Sequence, residues 1–251
     1  MIFYFSATGN SKYVAARLAE ATKDKMVSIT NSLKEQRLDF TIEKDENIGF
    51  VTPTYFWGLP IVVTDFIQKF KISSSKSNYI YHVLTFGTTT GQAHRDMDKH
   101  LRSHNLSLDG KFIAQMTDTW TPIFDLNDAA KNHKILEKAE NQIDNIIEYV
   151  SAKEKGDFNN RKIPFAQIYS SLYKNGRSTK KFTVSDLCID CGLCEQQCPV
   201  SAIKRWNGKP VWIKEQCALC LGCLHRCPKF SIQYGNNTKK HGQYVNPNVR
   251  L

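Results

Sequence analysis

Two twelve-residue runs constrain this chain more than any other feature. The first reads Cys188-Ile189-Asp190-Cys191-Gly192-Leu193-Cys194-Glu195-Gln196-Gln197-Cys198-Pro199. The second reads Cys217-Ala218-Leu219-Cys220-Leu221-Gly222-Cys223-Leu224-His225-Arg226-Cys227-Pro228. Both spell C-x2-C-x2-C-x3-C-P, and a shift of 29 residues superposes the cysteines, the proline, and Ile203 on Ile232. All eight cysteines lie in these runs. A disulfide framework belongs to oxidising compartments. Structural zinc uses two paired C-x2-C units separated by a loop, which this pattern does not follow.

Three thiolates at intervals of three residues wrap a tight loop around three corners of one small cube, and the fourth ligand must come from elsewhere in the fold. The spacing resembles that of bacterial ferredoxins, whose two [4Fe–4S] clusters each take a fourth ligand from the other run. The resemblance implies one cluster on Cys188, Cys191, Cys194 and Cys227, and a second on Cys217, Cys220, Cys223 and Cys198. Pro199 and Pro228 turn the chain after each remote ligand, fixing φ and donating no N–H. Gly192 and Gly222 are expected where the backbone passes close to inorganic sulfide.

The N-terminal half has a different signature. The apolar run Met1-Ile2-Phe3-Tyr4-Phe5 reads as a buried first strand and not as an export signal. Ser6-Ala7-Thr8-Gly9-Asn10-Ser11 follows, and then a helical stretch. Strand, hydroxyl-rich glycine loop and helix form an arrangement that holds a phosphate on backbone N–H groups and a helix N-terminus. The loop has neither the Gly-Lys-Ser/Thr ending of a Walker A motif nor three dinucleotide-binding glycines. It resembles the phosphate loop of flavodoxins, [TS]-x-T-G-[NT]-[TS].

The order of elements agrees with that resemblance. Met26-Val27-Ser28-Ile29, residues 47–52, residues 79–86 and residues 111–118 read as further strands, and residues 125–152 as a long helix with an Ile135, Ala139, Ile143, Ile146, Ile147 and Val150 stripe. Ligands of doubly wound sheets lie outside the carboxyl ends of the strands. Pro53, Thr54, Tyr55, Phe56, Trp57 and Gly58 follow the third strand, with Tyr55 or Trp57 as candidates to stack on a flavin ring. Thr85, Phe86, Gly87, Thr88 and Gly91 end the fourth strand and the loop that would border the ring. His94, His100 and His104 are read as surface residues.

The chain is therefore identified as a member of the flavodoxin–ferredoxin fusion family. The expected fold is α/β: a flavodoxin-like, doubly wound, five-stranded parallel sheet over residues 1–152 and a small α+β two-cluster ferredoxin domain over residues 183–234. A basic connection over residues 153–182 joins them, with an apolar helix expected at residues 163–173 carrying Phe165, Ile168, Tyr169 and Leu172. A polar tail over residues 235–251 is expected to be disordered, with a contact point at Tyr244-Val245-Asn246-Pro247. Ala7 stands where many flavodoxins carry a larger residue.

The resemblance implies FMN, two [4Fe–4S] clusters and electron transfer without any residue acting as general acid or base. The competing reading is a flavin-dependent reductase of a small organic substrate, with Tyr55, His82 or Asp118 as candidate proton donors. No window is long and apolar enough for a transmembrane helix, and a cytoplasmic, membrane-free protein is expected. The formal charge of +10 is uneven: residues 1–150 carry −1 and residues 151–251 carry +11. Two clusters, each −2 with its thiolates, leave about +7 on the second half. That surplus suits an acidic redox partner protein as well as it suits compensation of buried cluster charge. No recognition motif supports nucleic-acid binding.

Overall fold

In the computed structural model, which describes residues 1–162 and 172–251, a parallel sheet forms the first unit. Its strands are β1 (Ile2–Tyr4), β2 (Met26–Ser28), β4 (Ile48–Pro53), β6 (Ile80–Phe86), β7 (Gly110–Gln115) and β8 (Gly156–Asp157). They lie in the order β2-β1-β4-β6-β7-β8, every neighbour parallel. Five are the expected strands in doubly wound order. The sixth, β8, has two residues, too few to leave a periodic trace. A separate parallel pair, β3 (Asp39–Thr41) with β5 (Lys71–Ser73), lies outside that sheet. Its residues are largely exposed, so no apolar run marks it.

Alternation along the strands sorts side chains into two cores. Phe3 and Phe50 point to one face with Phe66 and Phe70, under α2 (Ile29–Lys34), α3 (Ile61–Lys69) and α4 (Ala93–Leu101). Ile2, Val51, Val83 and Phe112 point to the other, under α1 (Asn10–Thr22) and α5 (Ala129–Ser151). The central strands β4 and β6 are buried almost throughout, as parallel strands covered on both faces must be.

Helix α5 starts later than residue 125. Asp128 is its N-cap and accepts from Lys131 N at 2.9 Å, whereas Asp125 caps a local turn at Asn127 N. Its buried stripe is Leu136, Ala139, Ile143, Ile146 and Val150, with Ile135 and Ile147 at the flanks. His94 is not on the surface: the α4 stripe of Ala93, His94, Met97 and Leu101 is buried. Its Nδ1 lies 3.2 Å from His82 Nδ1, and His82 Nε2 lies 2.9 Å from Thr52 Oγ1. Burial pushes both imidazoles below their ordinary range, His94 to about 3. His104 is also tied in, with Nε2 2.6 Å from the Ile67 carbonyl. The expected helix at residues 163–173 lies mostly outside the described residues; residues 172–176 are helical.

The second unit comprises β9 (Phe182–Val184), α6 (Leu193–Gln197), β10 (Ile203–Trp206), β11 (Lys209–Trp212), α7 (Gly222–His225) and β12 (Ile232–Tyr234). Strand β9 pairs antiparallel with β12, and β10 with β11. The 29-residue repeat extends to the backbone. Left-handed residues recur at Asp190 and Leu219, Gly192 and Leu221, Ser201 and Phe230. Cys198 Sγ accepts from Ala202 N at 3.2 Å, and Cys227 Sγ from Ser231 N at 3.4 Å. In this register Gly192 matches Leu221, so Gly222 has no counterpart in the first run and serves a different contact, described below.

The tail is not disordered. After α8 (Thr238–His241) it returns to the first unit, with Asn246 only 1% exposed. Among the described residues no helix is long and apolar enough to cross a membrane.

Phe50 is fully buried with its ring centroid 5.4 Å from that of Phe3. Phe50→Ala is expected to destabilise the sheet unit by about 3–5 kcal/mol, the usual cost of emptying an aromatic core position. Urea unfolding followed by far-UV circular dichroism measures it.

Candidate functional site

A cavity of about 290 Å³ opens at the carboxyl ends of the sheet strands. Its floor is the loop between β1 and α1. Gly9, at φ 98°, caps the N-terminus of α1 in the left-handed region, and Gly9 N donates to Ser6 Oγ at 3.1 Å. No acidic side chain occupies the first turn of α1, which leaves the helix N-terminus favourable to an anion. Ser11 and Thr85 hydroxyls lie 2.7 Å apart, and Asn10 Nδ2 donates to the Thr117 carbonyl at 3.1 Å. These bonds tie the loop to the ends of β6 and β7.

The loop after β4 forms one wall. Tyr55 and Gly58 exchange both backbone bonds at 3.0 Å. The two residues between them, Phe56 and Trp57, sit at φ 47° and 62°. Left-handed non-glycine residues cost roughly 1–2 kcal/mol each, and the packing here offsets that. Phe56 stacks on Tyr173 with centroids 5.2 Å apart and meets Trp120 edge-on at 5.1 Å. Trp57 Nε1 donates to Thr89 Oγ1 at 2.7 Å. Gly91, at φ 58°, lies so close to the Trp57 carbonyl that a methyl group there would collide with it.

Of the residues expected around a flavin, Ser6, Ala7, Thr8, Asn10, Ser11, Pro53, Thr54, Tyr55, Phe56, Trp57, Thr85, Phe86, Gly87 and Thr88 line this cavity. Gly9, Gly58 and Gly91 do not; they shape the loops from behind. Of the wall after β7, residues 116–120, the sequence reading named only Asp118, as a candidate proton donor, and it missed the rim at Ile123 and Phe124. The rule that ligands sit beyond strand ends could have found the first. The Thr54 hydroxyl is buried and has no hydrogen-bond partner among the described residues. Thr54 belongs to the cavity lining, and an unpartnered hydroxyl at that position fits a bound polar group.

The cysteines divide between two smaller cavities. Cys188, Cys191, Cys194 and Cys227 line one, and Cys198, Cys217, Cys220 and Cys223 line the other. The remote cysteine of each run has thus crossed to the partner run. The first group is the outer one: Cys191 is exposed, whereas Cys198, Cys217 and Cys223 are buried. Burial pushes the Cys217 thiol up to about 11 and Cys220 to about 12, so these two thiols stay protonated at neutral pH without metal, and metal binding must release their protons.

Residues 1–145 match the flavodoxin domain family. The chain belongs to that family. Residues 174–232 match the 4Fe-4S dicluster domain, so a dicluster unit containing the eight cysteines follows the flavodoxin domain. No curated protein matches the chain. Among solved structures, similarity is found to the Trp repressor binding protein from Bacillus subtilis (14% identity, 57% of this chain and 97% of that one, TM-score 0.35). An FMN-dependent NADH-azoreductase from Bacillus anthracis matches at 10% identity over 60% of this chain and 98% of that one, TM-score 0.39. A flavone reductase matches at 12% identity over 84% and 80%, TM-score 0.33.

The flavodoxin and dicluster domains meet at the loop between β1 and α1. Cys220, Leu221, Ser6 and Ala7 border both the 290 Å³ cavity and the inner cysteine cavity. A β-carbon placed on Gly222 would lie 3.5 Å from Ala7 Cβ, an ordinary van der Waals contact, so residue 222 packs beside position 7. Tyr173 joins the two domains, donating to the Ala218 carbonyl at 2.9 Å and accepting from Ile61 N at 3.3 Å. Lys34 crosses the boundary as well, donating to the Gln196 carbonyl at 2.5 Å.

Asp118 lines the larger cavity, packed on Gly87, with Oδ1 accepting from Trp120 N at 3.0 Å. Burial pushes its carboxyl above the ordinary range, and the Trp120 N–H opposes this in part. A carboxyl raised by folding leaves stability untouched below the unfolded value near ~3.9 and lowers it as pH rises toward the folded value. Asp118→Asn keeps an acceptor for Trp120 and removes the charge. It is expected to raise the melting temperature of the flavin-free protein at pH 7 and leave it unchanged near pH 3, as read by differential scanning calorimetry.

Proposed function

We propose that the chain is an electron-transfer protein that couples one FMN to two [4Fe–4S] clusters in a fixed spatial order. The wall shared by the flavin-sized cavity and the inner cysteine cavity carries this reading. When bound, the clusters supply one-electron steps and the flavin holds one or two electrons, which lets the two kinds of chemistry interconvert.

The chain's own residues set the geometry. Backbone N–H groups and hydroxyls of residues 6–11 would hold the FMN phosphate, and the loops after β4, β6 and β7 would enclose the ring. Cys198, Cys217, Cys220 and Cys223 would hold the inner cluster, against the flavin wall. Cys188, Cys191, Cys194 and Cys227 would hold the outer cluster, nearer solvent. Leu187 and Ile189, 65% and 56% exposed beside the outer site, offer an apolar contact for a redox partner. Lys204 and Lys209 there are paired with Glu195 and Asp186, so steering of an acidic partner rests on the remaining basic side chains of this domain, Lys180, Lys181 and Lys229 among them. No side chain is needed as an acid or base, and a cytoplasmic setting suits the oxygen-labile groups.

The test loads the protein anaerobically and follows flavin absorbance after mixing with a reduced acidic ferredoxin. Wild-type flavin reduction is expected to show an internal first-order phase independent of protein concentration. Cys220→Ser, with the outer cluster retained, is expected to slow that phase at least about tenfold. An unchanged phase overturns the order. Turnover of a small organic acceptor without a partner protein overturns the carrier assignment in favour of a reductase.

A further inference from the structure

The last residues of the chain do not extend either core; they pack under the phosphate loop. Asn246 N donates to the Thr8 carbonyl at 2.8 Å. Asn10 Oδ1, at the first position of α1, accepts from Asn246 Nδ2 at 3.1 Å and from the Tyr244 hydroxyl at 3.2 Å. The same Asn10 side chain donates through Nδ2 to the Thr117 carbonyl at 3.1 Å, so its amide is held on both sides. Asn10, Tyr244 and Asn246 are 7%, 7% and 1% exposed. A methyl group on Gly9 would meet Asn246 Cβ at 2.9 Å and Val249 Cγ1 at 3.0 Å, so the tail lies flush against the loop. Further along, Lys12 Nζ donates to the Arg250 carbonyl at 2.5 Å.

The tail reaches this place from the dicluster domain. Gln243 Nε2 donates to the carbonyls of Leu224 and Cys227 at 2.6 and 2.9 Å, and Tyr244 N donates to His225 Nδ1 at 3.2 Å. Thr121 Oγ1 donates to the Gly242 carbonyl at 3.1 Å, and Leu126 N to the His241 carbonyl at 2.8 Å. One strand of chain therefore holds the dicluster domain, the segment after β7 and the phosphate loop together. Neither Tyr244 nor Asn246 lines the flavin-sized cavity, so any effect on a ligand there passes through the loop.

We infer that Tyr244 and Asn246 are positioning residues of the flavin-phosphate site. The inference rests on the proposed placement of the phosphate at residues 6–11. A phosphate held by backbone N–H groups and hydroxyls, with no basic side chain in the loop itself, depends on those groups being fixed before the anion arrives. Within the loop the Ser6–Gly9 bond supplies part of that fixing; the Asn10 node and the Thr8 carbonyl bond supply it from the tail. Linkage then requires the converse: flavin binding strengthens the tail's hold on the loop.

The experiment measures FMN affinity of the cluster-loaded protein by fluorescence quenching, for wild type, Tyr244→Phe, Asn246→Ala and the double variant. The double variant is expected to raise Kd about tenfold, the loss expected for about one buried hydrogen bond, with iron content unchanged. In wild-type protein, hydrogen exchange of residues 243–250 is expected to slow at least about fivefold on adding FMN, by the same linkage. This second measurement stands even if a variant fails to fold. Wild-type binding with unaltered variant affinity overturns the inference, and so does tail exchange indifferent to bound FMN. Absence of FMN binding by the wild type overturns the underlying site reading instead.

Discussion

Residues 220–222 lie directly against Ala7, and the relation between the two domains depends on that contact. Leu221 takes a left-handed conformation and α7 starts at Gly222, where a β-carbon would touch Ala7 at the ordinary contact distance of 3.5 Å. Because the approach is close, Cys220 becomes part of the wall of the larger cavity. The proposed transfer path then runs within one chain and needs no encounter between separate molecules.

Around that contact the two cysteine sites are unequal, although their backbones repeat. The inner site is enclosed by the flavodoxin domain, with Phe5, Ala7 and Thr30 among its lining residues. The outer site is lined only by its own domain, beside exposed Leu187 and Ile189. Arg226 lines the inner cavity and Lys34 reaches the adjoining Gln196 carbonyl, so positive charge gathers at the inner site. At the outer site, Lys204 and Arg205 are answered by Glu195 and Asp190. Sequence repetition thus produced two similar pockets, and domain packing gave them different electrostatic surroundings.

The parts legible in advance share a physical cause: each rests on short-range pattern. Continuous apolar runs marked β4 and β6, since strands buried on both faces admit little else. The cysteine spacing marked the two runs, and the resemblance to bacterial ferredoxins implied the crossed grouping that the two cavities display. Short strands such as β3, β5 and β8 left no pattern. His94 was misplaced because a lone histidine in a polar helix looks solvated; its burial follows from the Ala93, Met97 and Leu101 stripe it shares. The contact point expected at residues 244–247 is present, and only the disorder expected of the tail was misread, for the same reason: its polar side chains bond to each other and to backbone carbonyls instead of water.

The sequence by itself determined a doubly wound sheet with a hydroxyl-rich glycine loop after its first strand, and a repeated cysteine quartet, because strand periodicity and ligand spacing are properties of neighbouring residues. It also determined that the quartets come in one register, 29 residues apart. Only the tertiary structure decided which quartet faces the 290 Å³ cavity, and that Tyr244 and Asn246 bond Asn10, more than two hundred positions earlier. Those are contacts between residues distant in the chain. Their partners are chosen by shape and hydrogen-bond geometry when the domains pack, and nothing in local spacing records that choice.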